Sequence, residues 1–360
     1  MLRSTFVMFL MLIVAGGAVA GDWAETVKVN GDFRYRHENI DEDGMEVRNR
    51  HRVRVRIGLS ADVEENLSVD VRVLTGSDNP IGTNQTLDGA FTTKPIGLDR
   101  ASFAWKHPDS GMKVQGGKMG MPFFRPAKSE LIWDSDLSPE GLAAAWGAGS
   151  DATKLFVRAA GLWIDERAAD TNASLMGAQA GLTHTADAVK LTVGGAVFKY
   201  DELDGPIYRD GDLEIDDDFF GNTNAAGDFL TGFELLEAFI ELGFQAGDMP
   251  VTVYADFVTN TEADDLEQGY IFGAKFNKAK EPGSWAAGYN YRELQADAVM
   301  GALTNSDFLG GGTDGKGHMV NFAYQASDAA QFALTYLMDT KGLENGHDFK
   351  RLQADLKIKF

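Results

Sequence analysis

Polar and apolar side chains exchange places at almost every step near the start of the chain. Val27, Val29, Phe33 and Tyr35 alternate with Lys28, Asn30, Asp32, Arg34 and Arg36. Period-two alternation predicts a β-strand, because successive strand side chains point to opposite faces. The sharpest case follows an acidic break at 41–44. Arg48, Arg50, Arg52, Arg54 and Arg56 take every second position, with Val53, Val55, Ile57 and Leu59 between and beyond them. A helix would scatter these arginines around its circumference. One strand face is thus cationic and the other aliphatic. A soluble sheet would turn the cations to water, whereas a membrane barrel would turn them to its lumen and the valines to lipid.

The same pattern recurs to the C-terminus, in segments of about ten residues separated by breaks, the length of a tilted bilayer crossing. Leu67, Val69, Val71 and Val73 alternate with Ser68, Asp70 and Arg72, and Leu352, Ala354, Leu356, Ile358 and Phe360 alternate with Arg351, Gln353, Asp355, Lys357 and Lys359. In the strand expected near 188–200 the apolar register changes after Gly194-Gly195, which suggests a bulge there. Residues 233–244 fit a helical stripe as well as a strand; the alternation of Leu236, Ala238, Ile240, Leu242 and Phe244 favours the strand. The expectation is an all-β, transmembrane antiparallel β-barrel of about 16 strands. Short breaks near 61–66, 107–111 and 148–152 take turns with long ones near 75–95, 120–140 and 201–229. That is the asymmetry of short periplasmic turns and long extracellular loops. Trp105, Trp146, Trp163, Trp285, Tyr200, Tyr291 and Tyr336 fall at or near strand ends, where interfacial girdles form.

Composition narrows the partners. The 360 residues carry a formal charge of −21 and no cysteine. Such an acidic chain is a poor match for nucleic acid, and disulfides and thiolate metal sites are excluded. Arg3, an apolar run from Thr5 to Val14 and Ala18-Val19-Ala20 before Gly21 read as a signal peptide over 1–20. Residues 21–360 are then a single exported barrel domain, destined for the bacterial outer membrane.

Three stretches resemble the outer-membrane porin family of Gram-negative bacteria. They are Gly31-Asp32-Phe33-Arg34-Tyr35-Arg36 with the arginine strand, Thr75–Pro80 followed by Thr83–Leu87, and Gly117–Met119 running into Trp133–Asp136 and Pro139–Leu142. The resemblance implies a sixteen-stranded porin, commonly a homotrimer, with its third long loop folded into the lumen. It implies no particular solute.

The long connection near 120–140 mixes Met121, Phe123, Phe124, Leu131, Ile132 and Trp133 with Glu130, Asp134, Asp136 and Glu140. A loop tucked inside a barrel would pack those apolar groups on the wall and face its carboxylates to the arginines. The expected lumen lining is Arg34, Arg36, Arg50, Arg52, Arg54, Arg56, Arg72 and Arg100. Opposed acidic and basic walls would orient polar solutes at a constriction; the plainer alternative is ion pairing that only holds the loop. Arginines two apart on a strand are about 6.5–7 Å from each other and repel unless compensated, for which Asp32 and Asp70 are candidates.

None of the six histidines has metal-ligand spacing, no nucleophile elbow is present, and no cofactor or enzymatic activity is expected. His51 sits on the outward register. The acidic run Asp210–Asp218 reads as a solvated external loop, with divalent-cation binding as the alternative. The function expected is a passive diffusion channel for small hydrophilic solutes and ions, in contact with membrane lipid and lipopolysaccharide. The alternatives are an anion-selective channel for phosphate-like solutes and a structural or adhesive barrel with a blocked lumen. Mass spectrometry of the mature protein should find it beginning at Gly21; retention of Met1 would contradict the export reading.

Overall fold

The computed structural model describes residues 26–77, 79–203 and 219–360. Residues 1–20, expected to be a signal peptide, and the acidic run 210–218 lie outside the described residues. The first eight barrel strands are β1 (Lys28–Glu42), β2 (Arg48–Glu64), β3 (Leu67–Thr75), β4 (Ile96–Lys106), β5 (Met112–Lys118), β6 (Glu140–Gly149), β7 (Thr153–Asp165) and β8 (Ala173–Ala186). The second eight are β9 (Val189–Asp201), β10 (Glu234–Ala246), β11 (Met249–Asn260), β12 (Gln268–Asn277), β13 (Trp285–Leu294), β14 (Gly315–Gln325), β15 (Ala330–Lys341) and β16 (His347–Lys359). Each pairs antiparallel with its sequence neighbours, and β1 pairs with β16 from Asp32↔Lys359 to Glu42↔Phe349. Closure leaves no edge, so every crossing strand satisfies its backbone groups on both sides, which a bilayer core demands.

The chain's last residue completes the seam. Phe360 and Gly31 exchange two backbone hydrogen bonds, of 2.9 and 3.1 Å. A Cβ on Gly31 would fall 2.5 Å from the Phe360 ring, so glycine is what lets the terminal aromatic lie across the first strand.

Outward positions are apolar: Leu142, Leu155, Val157, Leu236, Ile240, Phe322 and Leu334 are all exposed. Trp146, Trp163, Trp285 and Tyr336 join them on the outside. Tyr200 does not. It is buried on the inner face, and Tyr291 lies on the outer face with its hydroxyl donating to Glu293 at 2.9 Å.

The bulge expected at Gly194-Gly195 is absent. β9 stays in step with both β8 and β10 through these glycines. Phe198 and Tyr200 instead face inward with Thr192, because there is an apolar mass inside the barrel for them to meet. Gly194 makes room for it: a Cβ there would sit 2.5 Å from the Phe239 ring. The ambiguous stretch is strand β10, with Leu235, Glu237 and Phe239 buried inside and Leu236 and Ile240 exposed outside. A bulge does occur between β3 and β4, at Arg72/Val73, and it turns Asp99 inward.

The mass inside comes from the long loops. In L3 (119–139), Phe123 packs edge-on against Phe198 with centroids 4.8 Å apart, and Trp133 meets Phe198 at 5.3 Å and Tyr200 at 6.4 Å. Phe124 lies 5.3 Å from Phe239. Gln179 of β8 clamps the loop by accepting from the Phe124 amide at 2.7 Å and donating to its carbonyl at 2.9 Å. L7 (295–314) is a second inward loop, burying Val299, Met300, Leu303, Phe308 and Leu309. It was not expected, although its Ala-Val-Met-Gly-Ala-Leu content carries the same apolar signal as L3. The two loops are joined where the Asp134 amide donates to the Leu303 carbonyl at 2.9 Å. The described part of L5 (219–233) braces L7: Asn222 donates to Ala296 and Val299 carbonyls at 2.7 and 2.8 Å.

The barrel wall does not depend on this packing, but the loops do. Phe198→Ala should cost about 3–5 kcal/mol of local stability, read as faster hydrogen exchange across 121–137 with little change in the strands. Equal loosening of the strands would contradict the separation.

Candidate lumen site

The arginine ladder faces the lumen at one stretch of wall made by β16, β1 and β2. Barrel register sets like charges opposite each other: Arg34 faces Arg54 and Arg36 faces Arg52. Directly opposed like charges destabilise a sheet, so carboxylates are threaded among them. Asp32 accepts from Arg54 at 2.8 Å and from Arg56 at 2.7 Å. Asp355, brought opposite Arg36 by barrel closure, takes a two-point pair with it at 2.6 and 2.9 Å. Glu38 is fully buried and serves Arg50, with Arg36 at 3.4 Å and Arg52 at 3.6 Å. Arg72 pairs with Asp99, not with Asp70. The bulge explains the substitution, since it adds an inward residue on β4 beside Arg72.

The loops bring the remaining acids. Asp136 of L3 sits 3.6 Å from Arg54 and 3.7 Å from Arg56 and accepts from the Thr83 hydroxyl at 2.6 Å. Asp307 of L7 reaches Arg351 at 2.8 Å and Arg36 at 3.5 Å. Desolvation alone would raise the Asp307 carboxyl, but Arg36 and Arg351 outweigh it and hold it well below the usual range. Asp134 makes no ion pair among the described residues. Burial first, then the charges of Glu130 and Asp136, push it up to about 8. It accepts from the Asp136 amide at 2.7 Å and the Ser306 amide at 2.9 Å, which ties L3 to L7. Glu130 accepts from the Ser135 amide at 2.9 Å and from Asn305. Glu140 stands apart: it opens β6 on the outward register and pairs with Lys118 at 2.8 Å.

Two lumen cavities flank these loops. One, about 260 Å³, brings Arg34, Arg36, Arg50, Arg52, Arg54 and Arg351 together with Glu130, Asp134, Asp136 and Asp307. The other, about 740 Å³, lies on the short-turn side of L3 against the wall from β2 to β7. Arg100 lines it, with its guanidinium 3.4 Å from the Ser138 hydroxyl. Arg34 has only Asn84 as a side-chain partner, at 2.5 and 3.2 Å, and no ion pair among the described residues.

Glu38, Asp355, Arg351 and Asp307 belong to the site and were missed as site residues. The first three were legible as inward registers of β1 and β16; only barrel closure shows that these strands are neighbours. His51 is on the outer face, where its ring lies tilted against that of His37 with centroids 4.8 Å apart and shares a hydrogen bond of 2.9 Å with the Tyr35 hydroxyl. No group of three or more potential metal ligands occurs among the described residues.

Similarity to known proteins agrees with this geometry. No curated protein matches the sequence. Among solved structures, OprB of Pseudomonas putida at high pH superposes with a TM-score of 0.62, at 9% identity over 93% of this chain and 94% of that one. OmpF of Salmonella typhi, solved with daunomycin, gives 0.58 at 11% identity over 93% and 97%. OmpT of Vibrio cholerae in a trimer form gives 0.50 at 13% over 93% and 100%. These are likenesses of fold. A family model described as "Putative porin" matches residues 39–231 and 235–360. With nearly all of the barrel matched, the chain belongs to this family and is an outer-membrane porin, a channel protein.

Proposed function

We propose that this porin passes small hydrophilic solutes by passive diffusion and that its lumen favours anions. The observation that carries the reading is the location of unneutralised charge. The whole chain bears −21, yet Arg34, Arg100, Lys113, Arg125 and Arg158 face the lumen cavities without an ion pair among the described residues. Asp136 of L3 and Asp307 of L7 lie against the ladder and offset part of it, whereas Glu130 and Asp134 make no ion pair with it among the described residues. Rings of uncompensated cations lower the barrier for anions and raise it for cations. The transverse-field reading retains support at the smaller cavity, where Glu130 and Asp134 lie beside arginines.

The outward apolar band fits contact with membrane lipid and lipopolysaccharide, and the likeness to a trimeric OmpT supports a homotrimer. Transport by diffusion needs no bond chemistry, so no enzymatic step is proposed. Export would follow cleavage after Ala20.

Reversal potentials in planar bilayers under a salt gradient test the preference. Anion over cation permeability should exceed unity at low salt and shrink near 1 M, where the screening length falls to about 3 Å. Arg34→Ala or Arg100→Ala should each lower the ratio by about 1 kcal/mol, roughly fivefold. Cation preference in the wild type would overturn the reading.

Asp134 gives the reading a pH dependence. Its folded value of about 8 lies above the ordinary 3.8, so the folded loop binds the proton more tightly than the unfolded chain. The L3–L7 contact therefore holds this advantage fully below pH 4 and loses it as pH rises through about 8. Between pH 6 and 9 a negative charge appears beside the ladder, and anion preference should decline. Asp134→Asn should abolish that decline; an unchanged pH profile would assign it to another group.

A further inference from the structure

The larger cavity has features that ion permeation does not require. Its cations are held in place by neutral acceptors: the Arg125 guanidinium donates to the Trp133 carbonyl at 2.9 Å, and that of Arg158 to the Pro122 carbonyl at 2.7 Å. Neither interaction cancels charge. Arg100 and Lys113 face the same space, and among the described residues Asp62 and Asp70 are the only carboxylates on its lining. Beside the cations lies an apolar shelf made by L3, where Met121 and Phe124 are only partly buried. Phe156 continues it, 5.7 Å from Phe124 and with the Arg158 guanidinium 5.5 Å from its ring centroid. Water-filled conduits for simple ions gain nothing from exposing an aromatic edge and a thioether next to oriented guanidinium groups.

We propose that this cavity is a binding site for a small organic anion with an apolar, preferably aromatic, body. The carboxylate would meet Arg100, Arg125 and Arg158, and the ring would lie on Phe124 and Met121. Arginine suits this role because its planar fork matches a carboxylate in two-point contact. At about 740 Å³ the cavity falls within the range of small-molecule sites, with room for such a molecule and for water beside it. Its position between L3 and the short-turn end places the site on the inner side of the narrowed region. A solute would reach it after passing the arginine ladder. The inference rests on the anion preference proposed above, and adds a requirement for an apolar body.

Benzoate is a suitable probe, with acetate (charge without ring) and benzyl alcohol (ring without charge) as comparisons. Each is added at the short-turn side of single channels in a planar bilayer, and block is scored as a fraction of the open current. Benzoate should block saturably, at least tenfold more strongly than either comparison. Phe124→Ala should weaken benzoate block about tenfold relative to that variant's own open current, and Arg158→Gln should do so too. Block by acetate should change in Arg158→Gln only. Where a variant fails to insert, the wild-type ranking of the three probes still decides. Anion preference with equal block by benzoate and acetate would overturn the aromatic site and spare the anion reading. Block by benzyl alcohol equal to that by benzoate would overturn both the charge requirement and this site.

Discussion

Like charges facing each other across β1 and β2 are the constraint around which the lumen is organised. The hydrogen-bond register fixes Arg34 against Arg54 and Arg36 against Arg52, and the two-residue spacing stacks Arg50 through Arg56 above one another. Such a surface is stable inside a barrel only if carboxylates reach it. Asp32 and Glu38 come from the same strand as part of the ladder, and Asp355 comes from the far end of the chain through closure. These three leave Arg54 and Arg56 sharing Asp32, and they make no ion pair with Arg351 among the described residues. L3 and L7 provide Asp136 and Asp307, and in doing so are drawn onto the wall.

Electrostatic attraction alone would not hold two loops of this length in place. The apolar half of the arrangement does that, with Phe198, Tyr200 and Phe239 turned inward from β9 and β10 to meet Phe123, Phe124 and Trp133. The lumen is thus asymmetric. One arc is charged and ion-paired, the opposite arc is aromatic and carries the loop, and the arc from β4 to β7 presents Arg100, Lys113 and Arg158, which have no ion pair among the described residues. A strongly acidic chain thereby sets arginines and lysines without an ion pair, among the described residues, along its lumen, which is the basis of the proposed anion preference.

Much of this arrangement is legible in the order of the residues. Alternation in Arg48–Leu59 and in Leu352–Phe360 gives the strands, and short breaks alternating with long ones give the barrel and its orientation. The apolar content of 120–140 gives an inward loop. Other features are not legible there, for physical reasons. Inward-facing Phe198 and Tyr200 look like a register slip unless something apolar is known to lie inside. Asp99 becomes a partner of Arg72 only through a bulge that adds one residue to β4. Glu140 shares a stretch of sequence with Asp134 and Asp136, but β6 begins with it, and strand parity turns it outward. Barrel closure, which makes residue 355 a neighbour of residue 36, is a property of the whole sheet.

The central claim is that the loop acids subtract from the ladder, leaving a passage with net positive character. Its most direct test is the reversal potential of a channel carrying Asp136→Asn together with Asp307→Asn, measured beside the parent at low salt. Uncovering Arg54, Arg56, Arg36 and Arg351 should raise the anion over cation permeability ratio. A ratio that falls, or that does not move while the channel still conducts, would contradict the account.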